Sequence, residues 1–117
     1  MPAPGCPGRG SGSADIVSLP AISSCGFGVA ADSLGARRAG ELMLPIAQKF
    51  VPQSLLVTDD QIINAQKLLW QNLRLIAEPG GATALAALIS GAYKPYAGER
   101  VGVVLCGSNA ELSSFPA

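Results

Sequence analysis

Residues 58–89, TDDQIINAQKLLWQNLRLIAEPGGATALAALI, carry the clearest folding signals in the chain. The first four residues fit a capping box, in which the Thr58 hydroxyl accepts from the Gln61 backbone NH while the Gln61 side chain reaches back to Thr58. The two acidic residues between them favour the positive end of a helix. Apolar residues at helical spacing follow, so we predict a helix from Asp59 to about Ile76.

The predicted helix carries one apolar seam, and its polar residues lie elsewhere. A seam of this kind faces a core, and we expect Trp70 on the same helix to be at least half buried. The seam consists of Ile62, Ala65, Leu69, Leu73 and Ile76, and the residues placed off it are Gln66, Gln71 and Arg74.

A second helix is predicted from Ala82 to Ile89, where alanine and leucine make the segment apolar on nearly every side. A helix of this composition is buried. The preceding AEPGG, residues 77–81, breaks the helical pattern. Because proline suits the first position of a helix, Pro79 places the Glu78 carboxylate at a helix N-terminus.

The segments on either side of these helices predict a small sheet. Ser54–Val57 is typical of a short strand, and Val101–Cys106 lacks polar alternation, as expected of an interior parallel strand covered on both faces. Upstream, Gly40–Phe50 predicts a short helix with Pro45 in its first turn. With a short terminal helix after the second strand, the order indicates an α/β fold, a partial parallel sheet with flanking helices.

The composition limits the classes of function. The 117 residues make one small domain that is 49% hydrophobic but only 14% charged, and this excess of apolar surface favours a protein partner, including a second copy of the chain. The 8 basic residues balance the 8 acidic ones and do not cluster. Nucleic acid is therefore not expected as a ligand.

Residue types and segments that the sequence lacks exclude further kinds of functional site. The chain has no histidine, which excludes a Ser/His/Asp triad, a Cys/His pair and the common zinc sites. The three cysteines, Cys6, Cys25 and Cys106, are widely spaced and are expected to be free thiols. No apolar run is long enough to span a membrane and no secretory signal is evident, so we expect a cytoplasmic protein that binds no membrane.

Residues that could carry chemistry follow the second predicted strand. Ligands of open parallel sheets bind beyond the carboxyl ends of the strands, which makes Cys106-Gly107-Ser108-Asn109 the first candidate site. Gly107 lets the backbone approach a ligand closely, and Asn109 could cap the terminal helix. The alternative is a buried cysteine in an ordinary turn.

The roles of three further groups of residues cannot be decided from the sequence pattern. Glu78 could be catalytic, or it could serve only the electrostatics of the helix end. Gly80-Gly81 could cradle an anion or only make the loop flexible. Arg37-Arg38 could clamp a carboxylate or phosphate, or stay solvated.

Four segments together resemble threonine and serine dehydratases, which belong to the tryptophan-synthase-β-like group of pyridoxal-phosphate (PLP) enzymes. Their order and spacing are kept over residues 30–111. The segments are DSLGARRAGEL at 32–42, LLVTDDQI at 55–62, LIAEPGGATALAAL at 75–88 and VGVVLCGSN at 101–109.

The resemblance implies PLP as cofactor, the large PLP-binding domain of a fold-type II enzyme, and β-elimination of water from a small hydroxy amino acid. Cys106 matches the residue beside the pyridine nitrogen, where it would be a hydrogen-bond partner rather than a nucleophile. Glu78 matches the wall of the cofactor pocket, and Gly107 and Asn109 complete the implied cofactor-binding set. The family usually has a glycine where this chain has Ser108, which puts a side chain beside the cofactor.

The family's Ser-x-Lys-x-Arg-Gly lysine motif and its glycine-rich phosphate loop are not found in this sequence. We therefore expect residues 30–117 to be a C-terminal fragment of a dehydratase large domain, inactive alone and without a catalytic residue of its own. Residues 1–29 are expected to be an unmatched, low-complexity segment. The alternative is a non-catalytic binding or oligomerisation module derived from the same fold.

Overall fold

A computed structural model of the chain describes residues 28–34, 40–111 and 113. This part of the chain contains four helices in sequence order. They are α1 (Ala31–Leu34), α2 (Met43–Phe50), α3 (Asp59–Leu73) and α4 (Pro79–Ile89). The Arg37-Arg38 pair, residues 1–27 of the expected N-terminal segment and most of the chain after Glu111, where the short terminal helix is expected, lie outside the described residues.

Helix α3 begins as the capping box predicts. The Thr58 NH donates to Gln61 Oε1 at 2.8 Å, and the Gln61 NH donates to the Thr58 hydroxyl at 3.3 Å. The helix ends at Leu73, short of the predicted Ile76, because Arg74 takes a left-handed backbone conformation with φ 56°. A residue in that conformation ends an α-helix, since the next NH can no longer continue the helical hydrogen bonds.

The core of the described part lies between α3 and α4. Ile62, Ala65 and Leu69 of α3 are buried against the small side chains Ala82 and Ala86 of α4. Alanine at these positions lets the two helix backbones approach closely, and the short helix α1 also contacts α4. The predicted burial of both helices against a common core is confirmed at these positions.

The predicted seam is wrong at two positions. Leu73 is 61% exposed, because α3 ends at this residue and its buried residues end one turn earlier, at Leu69. Gln66, placed off the seam, is only 4% exposed, and its side-chain amide is satisfied by a hydrogen bond to the Ala77 carbonyl oxygen. Trp70 is more than half buried, as predicted.

Helix α4 begins earlier than the alanine-rich segment predicts. Pro79 is its first residue and Glu78 is the N-cap, with extended backbone and no side-chain capping hydrogen bond. The Thr83 hydroxyl donates to the Pro79 carbonyl at 3.0 Å within the first turn. The prediction that Pro79 starts a helix behind Glu78 is therefore confirmed.

The predicted sheet is not confirmed in the described residues. Ser54–Val57 contributes a single bridge position at Leu55, and Val101–Cys106 forms neither helix nor strand. The run 101–106 resembles a strand covered on both faces, but here Val104 is 73% exposed. A strand is stabilised by hydrogen bonds to a neighbour, and the two predicted strands do not pair with each other. The part of the chain that the structure describes is helical.

Helix α2 confirms the predicted short helix and has Pro45 in its first turn. None of its side chains is buried, and Lys49 Nζ lies 5.2 Å from the centre of the Phe50 ring. No helix within the described ranges is both long and apolar enough to cross a bilayer.

The loop after α4 is closed by side chains. The Tyr93 hydroxyl donates to Glu99 Oε1 at 2.5 Å, and the Tyr96 NH donates to the other oxygen of the same carboxylate at 3.1 Å. The Tyr93 NH donates back to the Ala87 carbonyl at 2.9 Å, which ties the loop to α4.

Candidate functional site

The start of α4 meets the turn at Cys106 and Gly107. The Glu78 NH donates to the Gly107 carbonyl oxygen at 3.0 Å, and this hydrogen bond joins two segments that are far apart in sequence. Gly81, one turn into α4, lies against the backbone of the same turn. We call the four residues Glu78, Gly81, Cys106 and Gly107 the junction.

Gly81 is required at the junction because no side chain fits there. A Cβ atom at this position would overlap the carbonyl oxygen of Cys106 and would lie 2.7 Å from its carbonyl carbon and 3.1 Å from the Gly107 oxygen. Real Cβ atoms do not approach backbone atoms so closely. The absence of a side chain at Gly81 therefore allows the first turn of α4 to lie directly on Cys106.

Gly107 is required for two reasons. Its φ is +77°, a left-handed conformation that costs residues with a side chain about 1 to 2 kcal/mol. In addition, the Glu78 carboxylate lies against its Cα, where a Cβ atom would overlap Glu78 Oε1. Gly107 therefore brings the Glu78 side chain directly onto the turn that follows Cys106.

The Cys106 side chain is exposed and its thiol is free. The alternative of a buried structural cysteine is therefore wrong, because the turn holds this side chain at the surface of the described part. Asn109 is also exposed, beyond a turn in which the Ala110 NH donates to the Ser108 carbonyl at 2.8 Å. The structure thus brings together Glu78, Cys106 and Gly107, and the contacts that build the junction do not include Asn109.

The sequence interpretation missed Gln66 and the role of Gly81. Gln66 lies four residues after Ile62 and three before Leu69, which are both buried. Residues at these spacings share one face of a helix, so the position of Gln66 next to the seam could have indicated its burial. Gly81 was considered only as half of a glycine pair, and its contact with Cys106 depends on a backbone approach that no local pattern reveals.

One donor group at the junction and one beyond it are of a kind that PLP can accept hydrogen bonds from. An exposed thiol and an exposed side-chain amide, at Cys106 and Asn109, can donate hydrogen bonds to a ring nitrogen. The N-terminus of α4 lies in the same region, and the Glu78 carboxylate there offsets the partial positive charge of the helix end. By their chemistry, a thiol and an amide suit the ring nitrogen of the cofactor. Among the described residues, no cluster of acidic or cysteine side chains suits a metal ion.

Comparisons with known proteins identify the family of the chain. The family profile described as pyridoxal-phosphate dependent enzyme matches residues 14–107. The chain is 40% identical over 85 residues to a phenylserine dehydratase of Ralstonia pickettii, a match that covers 73% of the chain and 26% of that enzyme. It is 38% identical over 77 residues to a serine racemase of Dictyostelium discoideum, covering 65% of the chain and 24% of the racemase.

A third relative, the beta-hydroxyaspartate dehydratase of Paracoccus denitrificans, is 33% identical over 76 residues, covering 65% of the chain and 24% of the enzyme. The chain thus spans about a quarter of the length of these curated relatives. No solved structure matches it significantly.

The profile match covers most of the chain and includes all four residues of the junction. It confirms the resemblance that the four sequence segments indicated. The chain therefore belongs to the family of pyridoxal-phosphate dependent enzymes.

Proposed function

We propose that this chain provides the C-terminal part of the PLP-binding large domain of a threonine or serine dehydratase type of ammonia-lyase, which eliminates water from a hydroxy amino acid. The observation that carries the proposal is the junction, where the start of α4 holds Glu78 against the Cys106–Gly107 turn. The three relatives named above are dehydratases or a racemase of amino acids by their names, which supports a small amino acid as substrate.

In this proposal each junction residue has a role toward the cofactor. The Cys106 thiol is exposed and donates a weak hydrogen bond to the pyridine nitrogen. Gly107 leaves room for the Glu78 side chain against the turn, and Glu78 forms part of the pocket wall. Asn109 adds an exposed amide beyond the turn. PLP itself, when bound, supplies the electron sink for the elimination.

The chain alone is proposed to be inactive. It contains three lysines, Lys49, Lys67 and Lys94, and none lies in a Ser-x-Lys-x-Arg-Gly-like motif. Catalysis in the family needs three groups that position the reactants together: the lysine, the base at the substrate α-carbon and the donors to the phosphate. The junction by itself does not replace them. The proposed division of the chain is an N-terminal segment of 1–29 and a large-domain fragment of 30–117, although the family profile already matches from residue 14.

The wider fold and the cellular location belong to the same proposal. Fold-type II large domains are α/β, and we propose that 101–106 becomes a strand when the rest of such a domain lies beside it. We also propose that the protein acts in the cytoplasm in amino-acid metabolism. The alternative, a non-catalytic binding or oligomerisation module, has less support because the relatives named above are all enzymes by their names.

A chimera tests the proposal. The 85 residues of the phenylserine dehydratase that match this chain are replaced by the corresponding residues of the chain. We expect the chimera to show the visible absorbance of bound PLP and to release a 2-oxo acid from phenylserine. A chimera that folds, as judged by circular dichroism, but binds no PLP would contradict the proposal.

Two variants of the chimera test the role of Cys106. Cys106→Ser keeps a hydrogen-bond donor of similar size, so we expect PLP absorbance close to that of the parent chimera. Cys106→Ala removes the donor, so the PLP absorption maximum should shift and the cofactor should dissociate more readily. Identical spectra and PLP affinities for the two variants would show that Cys106 does not contact the ring.

A further inference from the structure

We infer that Gln66 is a positioning residue for the junction, acting through the peptide bond between Ala77 and Glu78. The inference rests on the proposed function of the junction as part of a PLP site. Gln66 lies in the middle of α3 and does not touch Cys106 or Gly107 in any contact described above. Its effect on the site is therefore indirect.

The contact that carries the inference is a buried hydrogen bond. Gln66 Nε2 donates to the Ala77 carbonyl oxygen at 2.8 Å, and the two residues are 4% and 5% exposed. Residues 74–78 connect α3 to α4 without regular secondary structure. The hydrogen bond therefore anchors this connection to the middle of α3.

The same peptide unit is held on its other side. The Ala77 carbonyl and the Glu78 NH belong to one planar peptide group, which turns as a single body. Gln66 holds its oxygen, and the Gly107 carbonyl accepts from its NH at 3.0 Å. Fixing the carbonyl therefore fixes the direction of the NH that holds the turn after Cys106.

Loss of the Gln66 donor has a defined consequence. The Ala77 oxygen would remain buried without a partner, which is costly, and the peptide group could lower that cost by rotating toward water. Rotation would turn the Glu78 NH away from Gly107. The Cys106–Gly107 turn would then be released from α4, although the helices themselves would keep their core.

The test compares Gln66→Met with Gln71→Met in the 117-residue chain. Methionine has a similar length to glutamine but no donor, and Gln71 is an exposed glutamine on the same helix. Hydrogen exchange of single amides is followed by NMR, and alkylation of Cys106 is followed by peptide mass spectrometry. For Gln66→Met we expect the Glu78 amide to exchange about ten times faster and Cys106 alkylation to change, with the Ala65 and Leu69 amides little altered.

A purely structural role would give a different pattern. Loss of global stability accelerates exchange at Glu78, Ala65 and Leu69 together, and that result, or no change at Glu78, would overturn the inference. Gln66→Glu provides a second variant with its own signature. A protonated glutamate can donate to the Ala77 oxygen and an ionised one cannot. The Glu78 amide of Gln66→Glu should therefore exchange at about the rate of the unmodified chain at acidic pH, and faster than the unmodified chain at neutral pH.

The cofactor is tested separately in the chimera with the phenylserine dehydratase. If the chimera with Gln66 binds PLP, Gln66→Met should weaken PLP binding while Gln71→Met should not. Unchanged PLP affinity in Gln66→Met would overturn the positioning role. If the chimera with Gln66 binds no PLP, the proposed function fails, and the amide-exchange comparison still decides whether Gln66 orients the Ala77–Glu78 peptide.

Discussion

At the scale of single residues, Gly81 sets how closely α4 approaches Cys106. A Gly81→Ala substitution would place a methyl group on the Cys106 carbonyl, and backbone atoms cannot move aside as a side chain can. Overpacking of this kind costs about 1 to 3 kcal/mol, and the greater helix propensity of alanine offsets about 1 kcal/mol, so we expect a net loss of up to about 2 kcal/mol. Urea denaturation measures the loss.

Gly102→Ala is the matched control for Gly81→Ala. Nothing lies within 4 Å of a Cβ atom at Gly102, so the free energy of unfolding should change by no more than about 0.5 kcal/mol. Equal stabilities of the two variants would mean that α4 does not contact the Cys106 backbone.

Gly107 allows a second comparison, with Gly98. Both glycines have a left-handed backbone, with φ +77° and +83°, but only Gly107 has a neighbour at the Cβ position. Each alanine variant should therefore lose about 1 to 2 kcal/mol to backbone strain. Only Gly107→Ala should also displace the Glu78 carboxylate and alter the rate of Cys106 alkylation. The same alkylation rate in both variants would argue against the contact with Glu78.

The residues of the site differ in how far sequence could predict them. Glu78 and Pro79 were placed correctly at the start of a helix, because a proline at the first helical position is a local signal. The exposure of Cys106 and the role of Gly81 depend on contact between segments distant in sequence, which local patterns do not encode. Gln66 was wrongly assigned to the exposed side of α3 because it is polar. Its position next to the seam favours burial, and a buried amide is tolerated when it forms a hydrogen bond, as Gln66 does.

At the scale of helices, the contact between α3 and α4 accounts for most of the buried apolar surface described. Leu69→Ala removes a side chain that is 3% exposed, so we expect a loss of about 2 to 5 kcal/mol in the free energy of unfolding. Leu73→Ala, one turn along the same helix, removes a side chain that is 61% exposed and should cost about 0.5 kcal/mol. Equal denaturation midpoints for the two variants would contradict the assigned core.

The helices were predicted more accurately than the strands for a physical reason. The capping box of α3 and the proline of α4 act within a few residues of the helix ends, so sequence alone reveals them. Val101–Cys106 has the composition of a buried strand, but a strand needs partners from elsewhere in the chain. Val101, Val104 and Leu105 of this run are exposed in the described part, where no neighbouring strand covers them.

At the scale of the whole molecule, the described part leaves many large apolar side chains exposed. Leu42, Phe50, Tyr96 and Val104 are each more than two thirds exposed. The curated relatives named above are about four times as long as the region they share with this chain. Surface of this kind agrees with the proposal that a larger domain normally covers it.

Catalysis gives a test at the same scale. The 117-residue chain, mixed with PLP and threonine, should release no 2-oxobutanoate above the rate of free cofactor. A single weak hydrogen bond from Cys106 is worth about 1 kcal/mol, which does not offset the entropy lost when the cofactor is held in place. Borohydride reduction followed by mass spectrometry supplies the check, because turnover together with labelling of a single lysine would disprove the expectation.

The hydrogen bond between Tyr93 and Glu99 makes the stability of the chain sensitive to alkali. The pKa of the Tyr93 phenol is raised above its ordinary value of 10.0. The main cause is this hydrogen bond, and desolvation and the negative charge of Glu99 add to it. The folded chain therefore holds this proton more tightly than the unfolded chain. The resulting contribution to stability is complete below the unfolded pKa and is lost as the pH rises through the folded pKa.

Substitution of each tyrosine separates this effect from general alkaline unfolding. The stability difference between the unmodified chain and Tyr93→Phe should shrink as the pH is raised from about 8 to about 11. Tyr96→Phe, which removes a phenol that is 72% exposed, is the control for loss of a phenol from the same loop. A difference for Tyr93→Phe that stays constant with pH would exclude the phenol proton as the cause. Strong alkali is thus expected to break one of three hydrogen bonds that hold the loop after α4, while the two donated by backbone amides remain.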